Sequence, residues 1–186
     1  MNFIRLRKNN LCVDNVSVSS VVTITGPGSY TGIRLSLTTL KMVASVTGAQ
    51  LVGLSLFDAY MHLRSPSLDR LTVLSSNSRK GFLNVQVFQS NQEGFQSISS
   101  LLQMQYGEFD EFINKFDHAV AWHHIGDCLP DTVTGSVDIS DRMKNGKGHH
   151  FVNASLHLQE LLTFLFNNPS VMDSEKSLLP IYSSSV

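Results

Sequence analysis

Among 186 residues, the stretch best suited to chemistry is Gly26-Pro27-Gly28-Ser29-Tyr30-Thr31-Gly32, which follows an apolar run. A strand, a glycine loop and a helix N-terminus in succession can hold an anion, because free N–H groups and the helix dipole converge there. The spacing of Gly26, Gly28 and Gly32 is G-x-G-x-x-x-G, one residue longer than the dinucleotide fingerprint, and the Gly-Lys-Ser/Thr ending of a Walker loop is missing. A tight structural turn is the simpler reading of the same residues. Ser29 is not a nucleophile elbow, which requires the pattern G-x-S-x-G, whereas Pro27-Gly28-Ser29-Tyr30-Thr31 stands here.

The remaining reactive residue types are scattered. His123-His124 with Cys128, and His149-His150, lack the His-x-x-x-His or Cys-x-x-Cys spacing of a metal site. Adjacent histidines on a strand point to opposite faces, so each pair offers at most one ligand to a site. Cys12 and Cys128 form no disulfide framework. No carboxylate pair suits acid–base work. Asp58 reads as a helix-dipole partner, Arg79-Lys80 as a solvated turn and Trp122 as core. Catalytic residues, metal ligands and a cofactor are therefore not expected.

Composition narrows the class. The 14 Lys+Arg against 15 Asp+Glu give a net charge of −1, with 42% hydrophobic and 16% charged residues. Disorder needs lower hydrophobicity, and a lone nucleic-acid binder needs a cationic excess. No apolar run reaches the roughly 18 residues of a membrane span, so a cytoplasmic protein without membrane contact is expected.

The elements that must position the loop follow from periodicity. Ser20–Thr25 reads as a strand, and Ile33–Thr47 as a helix with Thr31 as N-cap and Gly48 as its C′ residue. The loop from Gly26 to Gly32 should stay outside the helix. Leu51–Leu54 is a second strand, and Ser55 caps a helix from Leu56 to Leu63. After a linker at Arg64-Ser65-Pro66-Ser67, strands Leu71–Leu74 and Phe82–Phe88 flank a hairpin turn at Asn77–Gly81. Residues 108–116 suggest a helix and 118–123 a strand. Residues 150–166 read as one amphipathic helix with Phe151, Leu158, Leu162 and Leu165 near one face.

On a wheel of about 100° per residue, the Ile33–Thr47 helix has two apolar stripes. Ile33, Leu37, Leu40 and Ala44 form one; Leu35, Met42 and Val46, with Thr39 between them, form the other. A helix with its back to water needs a single stripe. The second requires a further helix of the same chain or another protein, and the short polar segment before Ser20 favours another protein. Met42 suits an adaptable contact.

Gly26-Pro27-Gly28-Ser29-Tyr30-Thr31-Gly32-Ile33-Arg34, its helix and Leu51-Val52-Gly53-Leu54-Ser55 resemble the TsaB (YeaZ) family, whose hallmarks are a GPGSFTGLR-like segment and an LVGVSSL-like strand. Asn77-Ser78-Arg79-Lys80-Gly81 is similar to the family's DARRGEVY segment, and Leu179-Pro180-Ile181-Tyr182 to its C-terminal PxYLR. Asn77, Asn84 and Ser183-Ser184 depart from those patterns.

The resemblance implies an α/β actin-like ATPase (ASKHA, RNase H-like) fold with an incomplete first sub-domain and a smaller second one. The expected divisions are 1–64, 65–182 and a tail at 183–186. The family's opening strand, hairpin and first helix have about twenty residues available here, so a shortened start is expected. The implied function is that of a non-catalytic partner of a TsaD-like catalytic subunit, together with a TsaE-like ATPase. That complex makes threonylcarbamoyladenosine in tRNA, which this chain would meet only through the complex; a homodimer is the other assembly implied. Leu35, Thr39, Met42 and Val46 would face the partner. Gly26, Gly28, Ser29, Thr31, Gly32 and Arg34 would form the loop, as a structural turn or an anion site. The competing expectation is an ASKHA-type small-molecule kinase or a glycoprotease-like hydrolase using that loop.

Overall fold

The computed structural model describes residues 7–8, 11–12, 18–64, 71–92, 94–116, 120–126, 150–154, 156–169, 171, 180–181 and 184–185. Two short strands, β1 (Arg7–Lys8) and β2 (Leu11–Cys12), pair antiparallel. A βαβ unit follows: β3 (Ser20–Gly26), α1 (Tyr30–Thr47) and β4 (Gln50–Ser55), with the two strands parallel. The β-branched run Val21-Val22-Thr23-Ile24-Thr25 favours the extended chain.

Gly48 ends α1 in the left-handed region at φ 72°, as its position after the last apolar residue predicts. The start of α1 differs from expectation. It begins at Tyr30, inside the glycine loop, and its cap is Ser29 rather than Thr31: the Ser29 hydroxyl accepts the Gly32 N–H at 3.3 Å. Pro27 lies ahead of the first turn, where it breaks nothing, and the cap offsets the cost of glycine at position 32.

Ser55 caps α2 (Leu56–Arg64) by accepting the Asp58 N–H at 3.2 Å. The expected linker falls largely on residues 65–70, outside the described residues.

A seven-stranded sheet follows. It contains β5 (Leu71–Asn77), β6 (Phe82–Asn91), β7 (Gly94–Ser97), β8 (Leu102–Gln105), β9 (Ala121–Ile125), β10 (His150–Ala154) and β11 (Ser184–Ser185). The strand order is β10-β9-β5-β6-β8-β11, with β7 also paired to β6. β5 and β6 form the expected hairpin, and Gly81 supplies the positive φ of 83° in its turn.

α3 (Tyr106–Asn114) covers one face of this sheet. Phe109 and Ile113 meet Val73, Leu83, Val85 and Trp122 there. On the other face lie Phe57, Tyr60 and Met61 of α2, against Leu74, Phe88, Ile125 and Ala154. α2 thereby joins the two sheets.

The stretch 150–166 is not one helix. Residues His150–Ala154 add a strand parallel to β9, and α4 (Leu158–Asn167) starts afterwards. The aromatic and β-branched start of this segment has a free strand edge to pair with, and short apolar runs do not distinguish the two states by periodicity. The apolar face is also corrected: α4 buries Leu161 and Leu165 against Val52, Leu54 and Ala59, while Leu162 stays half-exposed. Packing is thus continuous across residue 64, with α4 lying on the βαβ unit.

Trp122 is fully buried, as expected, and the adjacent histidines turn to opposite faces. Trp122 Nε1 donates to Ser75 Oγ at 2.8 Å, and Ser75 Oγ lies 3.0 Å from Nδ1 of the fully buried His124. His123 Nδ1 lies 2.7 Å from the Tyr60 hydroxyl, tying α2 to β9. Burial raises the Tyr60 phenol above its ordinary pKa, against the opposing pull of Arg64. The phenol therefore stays protonated, and the hydroxyl and Nδ1 share one hydrogen bond whose direction follows the imidazole tautomer.

Removing Ser75 strips one bond from each of two buried groups. Ser75→Ala should lower unfolding free energy by about 1–3 kcal/mol in urea denaturation. Ser97→Ala, which removes an exposed hydroxyl bonded to Gln86, should change it by less than about 0.5 kcal/mol. Equal effects would refute this assignment.

Candidate functional site

α1 carries both features singled out by sequence. It packs on β3 and β4, burying Ile33 and Leu37, with Leu40 and Ala44 half-buried in the same stripe. The second stripe is open. Leu35 and Met42 are each 66% exposed and Val46 is 70% exposed, with Thr39 exposed between them. The spacing of four, three and four residues sets these four side chains in one line along the helix. No described residue covers them. Covering three such side chains, each about two-thirds exposed, would contribute roughly 1–2 kcal/mol apiece.

At the other end of α1, the glycine loop forms one wall of a cleft. Pro27, Gly28, Ser29 and Tyr30 face Ser78 and Arg79 of the β5–β6 turn, with Asn84, Gln103 and Ile181 completing a space of about 450 Å³. Of the loop residues chosen from sequence, Gly28 and Ser29 line this cleft. Gly26 lies behind them, and Thr31, Gly32 and Arg34 belong to the first turns of α1 rather than to the lining. Arg34 lies over the Tyr30 ring at 3.9 Å.

Gly26 has a specific mechanical task. Its φ is +131°, and a Cβ there would stand 2.5 Å from the carbonyl oxygen of Ile181. Ile181 in turn donates its N–H to Thr25 O at 2.8 Å. The Pro180–Ile181 segment is thus held against the end of β3, which is why a residue so distant in sequence lines the cleft. Gly28 has no such constraint, since its Cβ would meet Ile33 Cδ1 at an ordinary 3.7 Å.

Tyr30, Asn84, Gln103 and Ile181 were not among the candidates from sequence. Asn84 had a signal: it is polar and sits in step with Gln86 on one face of an otherwise apolar strand. Gln103 is its partner on β8, a pairing that no local pattern reveals. The expected metal-poor reading of the histidines concerns His123 and His124; Cys128 and His149 lie outside the described residues. Among the described residues, no helix is long and apolar enough to cross a membrane.

Two solved structures share this architecture. An uncharacterized protein with similarity to peptidase YeaZ from Pseudomonas aeruginosa superposes with a TM-score of 0.58 at 18% identity, over 90% of this chain and 74% of the other. YeaZ from Pseudomonas aeruginosa gives a TM-score of 0.54 at 18% identity, over 89% and 74%. No protein-family model matches the chain, and no curated protein sequence does. At this identity the likeness establishes the fold: a mixed α/β arrangement similar to YeaZ structures.

The two glycines give opposite expectations. Gly26→Ala should cost about 1–3 kcal/mol or more, from a forbidden φ and a backbone clash. Gly28→Ala should leave stability unchanged or raise it by up to about 1 kcal/mol. Paired denaturation curves test this, and a tolerated Gly26→Ala would disprove the close approach of Ile181.

Proposed function

We propose that this chain is a non-catalytic partner subunit with an actin-like fold, docking through the outer stripe of α1 onto a TsaD-like catalytic subunit. The complex, with a TsaE-like ATPase, makes threonylcarbamoyladenosine beside the anticodon of tRNA, and tRNA reaches this chain only through the complex. One observation carries the reading: Leu35, Met42 and Val46 stand two-thirds exposed in a single line on a helix whose opposite stripe is buried. Contiguous apolar surface on a rigid helix marks an interaction site. The YeaZ-like fold and the resemblance of the glycine-loop segment to the TsaB family support this choice of partner.

The kinase and glycoprotease-like readings have less support. The residues lining the cleft include no carboxylate, and phosphoryl transfer from a Mg²⁺–nucleotide relies on one. The Ser29 hydroxyl, a candidate nucleophile in the cleft, caps α1 and makes no hydrogen bond to a histidine among the described residues.

The test is co-purification of the full chain with a TsaD homologue. Leu35→Asp combined with Met42→Asp should weaken the complex by at least about 100-fold, since each 1.4 kcal/mol is a factor of ten. Both positions are exposed, so the melting transition of the isolated variant should match that of the parent. Undiminished binding would refute the interface. A complex that proves to be a dimer of this chain would refute the partner.

A further inference from the structure

The cleft beside α1 is built as a binding site, on observations separate from the docking stripe. Ser76, Asn84 and Gln103 are successive cross-strand partners on β5, β6 and β8, so they form a polar row on one face of the large sheet. Asn84 and Gln103 of this row line the cleft. Asn84 is 3% exposed, and among the described residues its amide has a single hydrogen bond, a long 3.5 Å contact from Nδ2 to Asn77 O. With Nδ2 turned toward Asn77 O, Oδ1 accepts no hydrogen bond from the described residues. Gln103 spends Nε2 on Ser78 Oγ at 2.6 Å, so its carbonyl oxygen is likewise available.

Ser76 Oγ, in the same row, is buried without a hydrogen-bond partner among the described residues, and such groups in folded proteins are ordinarily satisfied. Water could supply the donor. A cleft of about 450 Å³ is nevertheless within the range of small-molecule sites. At the mouth, the charge has one sign. Arg79 stacks on Phe82 at 3.9 Å and has no ion pair among the described residues. The start of α1, with no acidic residue in its first turn, lies across from it. The acceptors are thus on the floor and the positive charge at the rim, and the lining contains no carboxylate to hold a divalent cation.

We propose that this cleft binds a small, metal-free organic anion. Its carboxylate or phosphate lies between Arg79 and the N-terminus of α1, and its N–H or O–H donors meet the amide oxygens of Asn84 and Gln103. Docking through α1 does not depend on this site, and the site does not depend on docking.

Calorimetric titration of the full chain tests it with four probes. AMP carries a phosphate and an amino donor, N-acetylglutamine a carboxylate and amide donors, inorganic phosphate an anion without an organic body, and Mg-ATP a metal-bound polyphosphate. AMP or N-acetylglutamine should saturate one site, and which one binds decides between phosphate and carboxylate. Inorganic phosphate should bind at least tenfold more weakly than the better of the two. Arg79→Gln, at an exposed turn, should weaken that probe at least tenfold. Asn84→Leu should weaken it similarly while leaving inorganic phosphate unchanged, and Gln103→Leu provides the same readout if Asn84→Leu does not fold. Saturation by neither organic probe, an unchanged affinity in Arg79→Gln, or tighter binding of Mg-ATP than of AMP would overturn the proposal. TsaD-homologue binding by Arg79→Gln should stay at the parental level, which keeps a failure here distinct from a failure of the docking reading.

Discussion

A parallel pair of strands cannot stand alone in water, and the arrangement of β3 and β4 is governed by that constraint. Parallel pairing is found where both faces are covered. Val22 and Ile24 of β3 pair with Val52 and Leu54 of β4, so all four share one face, which is closed by Ala59 of α2 and Leu161 and Leu165 of α4. α1 packs on the same strands with Ile33 and Leu37, which stand outside that cluster and close the other face. Once both faces are closed, the geometry of the loop between β3 and α1 is fixed from both ends. Anything that loosens α2 or α4 therefore reaches the glycine loop, although neither helix touches the cleft.

α2 has to satisfy two neighbours at once. Ala59 faces the small sheet, and Phe57, Tyr60 and Met61 face the large one. A small side chain on one side and large ones on the other let a nine-residue helix sit between two layers. The Tyr60–His123 bond adds direction to contacts that are otherwise non-directional, and burial keeps the phenol protonated. His62, between Phe95 at 4.8 Å and Phe164 at 5.4 Å, extends the same seam to β7 and α4. The two sheets are consequently locked by packing, and the cleft between the glycine loop and the β5–β6 turn has a definite width.

Local patterns were legible in the sequence and distant pairings were not. The β-branched run at 21–25, Gly48 after α1, Ser55 before α2 and the turn at Gly81 each carry their own instruction within a few residues, and each is found as read. The double stripe of α1 was legible for the same reason, because a helical wheel needs only its own residues. The Thr31 cap failed locally: two hydroxyls sit two residues apart, and only the observed Ser29–Gly32 contact decides between them. The failure at 150–154 was tertiary. That segment is a strand because β9 offers it an edge, and nothing inside the segment announces β9. The cleft was half legible. Gly28 and Ser29 belong to a visible motif, whereas Asn84, Gln103 and Ile181 arrive through β6–β8 pairing and the Ile181–Thr25 bond.

α1 is the one rigid element common to both surfaces. Its first residue, Tyr30, lines the cleft, and Leu35, the first member of the open stripe, follows five residues later. At 1.5 Å per residue that is about 7.5 Å along the axis, less than the diameter of a helix laid across it. The two residues are also about 140° apart around that axis, so the stripe and the cleft open on different sides of α1. The stripe has no acidic neighbour on α1, whose charged residues are Arg34 and Lys41 alone. A surface that buries the stripe and carries carboxylates at its edge would meet complementary charge, which steers association more than it adds to affinity. A second copy of α1 would bring only the same two cations to that edge. Charge along the helix thus supports the proposed docking onto a different chain.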